Sequence, residues 1–82
     1  MKTNDFLIKK ETNYVYRVLT ASNDQITYIL IGDSVAKKDP IGLIEKDYKI
    51  VPYLSNEGNK IHSIVKKQSS QQQEQFIYFD EL

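Results

Sequence analysis

Residues 14–31 read YVYRVLTASNDQITYILI, two runs rich in Val, Ile, Tyr and Thr on either side of Ser22-Asn23-Asp24. β-Branched and aromatic side chains pack well on a pleated surface. Ser, Asn and Asp accept tight turn backbones and hydrogen-bond to them. The stretch therefore has the form of a β-hairpin. Side chains alternate across a strand, so Tyr14, Tyr16 and Val18 share one face and Val15, Arg17 and Leu19 the other. In the second arm Ile26, Tyr28 and Leu30 oppose Thr27, Ile29 and Ile31. Neither arm has a clean polar face. A half-solvated sheet would alternate apolar with polar, so this hairpin is expected to be covered on much of both sides. Gly32-Asp33-Ser34 ends the second arm.

Before the hairpin, residues 1–4 are polar and expected to fray. Phe6-Leu7-Ile8 makes a first strand within Asp5–Lys10, and Glu11-Thr12-Asn13 the turn that follows it. After the hairpin, Asp33 to Pro40 reads as an exposed loop with Lys37-Lys38 at its middle. Asp39 as N-cap and Pro40 at the first helical position open a short helical turn near Ile41–Lys46. A strand from Tyr48 to Leu54 follows. The alternative is a helix through Val51, because Ile41, Ile44, Tyr48 and Val51 also fall at helical spacing.

Ser55-Asn56-Glu57-Gly58-Asn59 is the strongest loop signal in the chain. Beyond it, KIHSIVKKQ, SSQQQEQ and FIYFDEL read as a hairpin with a Ser/Gln tip and Phe76–Phe79 as its return strand. The competing reading is a helix, since Ile61, Ile64, Val65, Gln68, Gln72, Phe76 and Phe79 form a stripe at helical spacing. Glutamines at the centre of that stripe weaken it, and FIYF favours strand. The expected fold is mainly β: a small antiparallel barrel or strongly bent sheet with an added C-terminal hairpin. The alternative is α+β with a helix in 60–75.

With 82 residues the chain is read as a single domain, 1–82. A domain of this size buries roughly 60% of its unfolded surface, so self-association is one source of extra stability. Cysteine is absent, which excludes disulfides, thiol chemistry and thiolate metal sites. Lys and Arg number 11, as do Asp and Glu, so the net charge is zero and a strongly nucleic-acid-binding or membrane-surface protein is disfavoured. The charge is uneven: residues 60–67 hold Lys60, Lys66, Lys67 and His62 without an acid, and residues 74–82 hold Glu74, Asp80 and Glu81 without a base. No apolar run approaches the roughly 20 residues that span a bilayer. The first residues, MKTNDFLIKKE, carry charge inside their only apolar segment and do not read as a signal peptide. A cytoplasmic protein without membrane association is expected.

Catalytic constellations lack their parts. His62 is the only histidine, the glycines Gly32, Gly42 and Gly58 are scattered, and no serine lies in a nucleophile elbow. The acids Asp33, Asp39, Glu45 and Asp47 do not match a calcium loop and alternate with lysines. No enzyme, cofactor or metal is expected. Six tyrosines without a tryptophan are the distinctive feature. Tyr14, Tyr16 and Tyr28 could form an aromatic platform, with Arg17, Lys37 and Lys38 as its cations. The competing and favoured reading has the rings completing a small core with their hydroxyls at its edge.

The succession YVYRVLTAS, a polar turn, ITYILIG, a polar loop and YKIVPYL resembles the SH3-like or Tudor-type small β-barrel over residues 6–54. The resemblance implies a small β-barrel, and for Tudor-type readers of methylated residues an aromatic cage for which the tyrosines are nominated. The expected function is a small protein-interaction module that binds another protein or itself. A phage or mobile-element accessory protein, an inhibitor or an immunity protein would suit such a chain. The alternative is a nucleic-acid-binding barrel face using the tyrosines and the lysine pairs Lys37-Lys38 and Lys66-Lys67.

Overall fold

The computed structural model describes residues 1–69. Its strands are β1 (Phe6–Lys9), β2 (Val15–Ala21), β3 (Gln25–Leu30), β4 (Lys37–Pro40) and β5 (Tyr48–Val51); its helices are α1 (Ile41–Asp47) and α2 (Asn56–Ser69). The strands make one antiparallel sheet in the order β4-β3-β2-β1-β5.

The expected hairpin is β2–β3, registered Tyr16 to Leu30 and Val18 to Tyr28, with a slip between Val18 and Thr20 that leaves Leu19 as a bulge. The Ser22 hydroxyl accepts the Gln25 N–H at 3.2 Å across its tip. Asn13, at φ 61°, turns the chain between β1 and β2, a left-handed conformation that asparagine tolerates. Gly32, at φ 101°, reverses it after β3.

Both faces of the sheet are covered, as the apolar pattern of the hairpin requires. Leu7, Tyr16, Val18, Ile26, Tyr28 and Tyr48 form one core with Ile44 of α1. On the opposite face Phe6, Ile8, Val15, Ile31 and Val51 form a second core with Ile61 of α2, flanked by Tyr53, Ile64 and Val65. The covering is done by helices and not by closure of the sheet, which stays open with β4 and β5 as its edges.

Three expectations change. The stretch from Asp33 to Pro40 is not all loop: Lys37–Pro40 pairs with β3 as an edge strand. Lysines and a proline on an edge discourage further pairing. Ser55–Asn59 is a helix start and not a loop. The Ser55 hydroxyl donates to the Pro52 carbonyl at 2.7 Å and accepts the Gly58 N–H at 3.0 Å, which is the N-cap arrangement. Residues 60–69 accordingly continue a helix, the alternative reading, and not the first arm of a hairpin. The proposed return strand at Phe76–Phe79 lies outside the described residues.

Candidate functional site

The six residues singled out in the sequence do not form one surface. Tyr16 and Tyr28 are buried, at 5% and 2% exposure. The exposed platform is therefore replaced by the core reading: rings on neighbouring strands facing α1. Tyr48 of β5 joins them, and the three rings meet edge to face with centroids 5.3–5.6 Å apart, the favoured geometry for aromatic quadrupoles. Tyr14 stays partly exposed at the start of β2. Arg17 lies on the opposite face of the sheet, half-buried, with its guanidinium 6.0 Å from the centre of the Phe6 ring. Lys37 and Lys38 are exposed on β4 and point to alternate faces, opposite Tyr28 and Thr27.

Asp39 has a different duty from the one expected. Pro40, not Asp39, is the N-cap of α1, and no side chain caps that helix. Asp39 lies opposite Ile26 on β4, on the tyrosine side of the sheet, and its carboxylate accepts a hydrogen bond from the Tyr28 hydroxyl. The Tyr28 and Tyr48 hydroxyls are 3.3 Å apart. Tyr28 has one proton and gives it to Asp39, so Tyr48 is the donor to Tyr28. Burial, and after it the Asp39 bond, hold the Tyr28 phenol well above its ordinary range. Burial likewise raises Tyr48. Both are protonated at neutral pH, in a hydrogen-bond chain that runs from Tyr48 through Tyr28 to Asp39. Among the described residues no group of His, Asp or Glu has the arrangement to hold a metal ion, and no helix is long and apolar enough to cross a membrane.

The surface feature that the sequence reading missed lies at the other end of the molecule. Met1–Asp5 and Pro52–Leu54 wall an open cleft of about 420 Å³. Residues 1–4 are tied down and not frayed. The Lys2 N–H reaches Asp5 Oδ2 at 2.9 Å, and the Asn4 N–H reaches the Val18 carbonyl at 2.8 Å. Asn4 itself turns at φ 73°. Asp5 Oδ1 accepts the Tyr53 N–H at 3.0 Å and so pins the two walls together. Leu54, at 88% exposure, stands on the rim beside Met1 and Tyr53.

No known family, curated protein or solved structure matches this chain. The functional reading therefore rests on its own geometry. Tyr53 and His62 stack edge to face at 5.2 Å, which props the Tyr53 ring between the cleft and α2. Among the described residues Val35 and Leu43 are also exposed apolar side chains; the cleft differs in setting Met1 and Leu54 beside a concavity whose walls are hydrogen-bonded together.

Proposed function

We propose that the chain is a small protein-binding module with no catalytic role of its own, and that it holds its partner at the cleft between the N-terminal loop and the β5–α2 joint. The observation that carries this reading is Leu54, exposed to 88% on a wall that also contains Met1, Pro52 and Tyr53. An isolated exposed leucine is ordinary, but a rim leucine beside an aromatic ring and a concavity is the form of a contact anchor. The walls cost little to order on binding, because Asp5 and its hydrogen bonds already fix them.

A photoreactive benzophenone side chain placed at Leu54 tests this in the source cell, with Asn23 at the hairpin tip as the control position. A discrete adduct is expected from position 54, competed away by excess unmodified chain and not by the Leu54→Glu chain. Equal adducts from both positions, or none, sink the reading. The mass of the adduct separates a second copy of this chain from a different protein.

A further inference from the structure

The carboxylate that ties the walls of the cleft together also puts a negative charge there. Asp5, 8% exposed, is a buried carboxylate. Its carboxylate accepts backbone N–H groups of Lys2 and Tyr53, yet no cation among the described residues lies within ion-pair reach of it. Burying a carboxylate without a counter-charge is costly. Two N–H dipoles offset part of that cost, and each oxygen keeps a further lone pair for another donor. Met1, Pro52, Tyr53 and Leu54 line the same cleft, surfaces that suit a methylene chain and an aromatic contact.

We propose that the cleft receives a basic side chain of the partner protein, an arginine or a lysine, with its cationic head at Asp5 and its stem along Tyr53 and Leu54. This rests on the protein-binding reading of the same cleft and names the chemistry of its partner. Long basic side chains bury apolar stems readily, and a donor to a carboxylate makes a stronger hydrogen bond than one between neutral groups. Lys2 also lines the cleft. Its ammonium opposes an incoming cation, which supplies a test of sign.

The experiment is an amide NMR titration of the full chain with acetyl-arginine amide, set against acetyl-citrulline amide, which has nearly the same shape and no charge. The arginine probe is expected to shift the amides of Lys2, Asp5, Tyr53 and Leu54 saturably and to bind about ten-fold more tightly than citrulline. Leu54→Ala should weaken it, and Lys2→Gln, which keeps the backbone N–H, should tighten it. Asp5→Asn removes the charge but also disturbs both wall contacts, so the Lys2 and Leu54 variants carry the test. Equal binding of citrulline, weaker binding by Lys2→Gln, or no saturable shift at these amides overturns the assignment. In any of those cases an adduct at position 54 leaves the protein-binding reading standing, so the two failures are distinguishable.

Discussion

Gly58→Ala is expected to destabilise the domain by about 3 kcal/mol. Alanine in place of glycine inside a helix ordinarily stabilises by about 1 kcal/mol, so the expected sign is reversed. The reason is the seat of the first turn of α2. A Cβ on residue 58 would run into the Pro52 carbonyl oxygen and come within 2.6 Å of the Tyr53 carbonyl oxygen and 2.9 Å of its carbon. These are backbone atoms of the β5–α2 joint and cannot turn aside. The Ser55 cap holds the same joint from the other direction, so relief would have to come from lifting α2 off the core around Phe6 and Val51. Gly42 in α1 is the internal control, because a Cβ there meets nothing within 4 Å. Gly42→Ala should be neutral or stabilising. Urea unfolding of the two variants beside the parent chain checks this. A Gly58→Ala midpoint at or above the parent's would show that the joint yields.

The second large effect is alkaline unfolding. In the unfolded chain tyrosine ionises near pH 10. In the fold Tyr28 and Tyr48 are both raised, chiefly by burial, and Tyr28 also by its bond to Asp39. The unfolded state therefore loses these protons first as pH rises. Stability from the pair is complete below pH 10 and is lost above it, each group contributing a slope of up to about 1.4 kcal/mol per pH unit while it is protonated only in the native state. The tyrosinate absorbance of the buried pair and the circular dichroism should change together in one cooperative step. Tyr28→Phe should roughly halve the slope. Ionisation of all the tyrosines near pH 10 with the fold intact would show that the triad is open to solvent.

The sequence made the hairpin legible because its signal is local. β-Rich arms and a polar turn lie within 18 residues, and the apolar residues on both faces of each arm state that both faces are covered. They do not state by what. A barrel wall and a helix bury the same isoleucine, so a covered sheet was readable and the choice between closure and two helices was not. α1 was readable from Pro40 and the spacing of Ile41 and Ile44, and β5 follows it as expected but stops at Pro52. β4 was hidden because Lys-Lys-Asp-Pro has no β-formers; its extended form comes from pairing with β3. Ser55–Asn59 misled because cap residues and loop residues are the same residues, and only the Gly58 N–H on the Ser55 hydroxyl separates the two uses. The binding surface was read from tyrosines whose burial no local pattern records, whereas the cleft is joined by a contact between Asp5 and Tyr53, 48 positions apart.

The position of β5 has a consequence for cooperativity. It lies at the edge of the sheet, directly after α1 and four residues before α2 in the chain. The hairpin and β1 can assemble from near neighbours, but β5 must come back to Phe6–Lys9 across a loop of roughly 40 residues, a closure that costs entropy before any contact repays it. When it pairs, it brings one helix to each face, so both cores close in the same event. A species with one face covered and the other bare has paid that closure and gained only half of its return. Residues 1–69 are thus expected to unfold in a single two-state step, with β5 as the clasp.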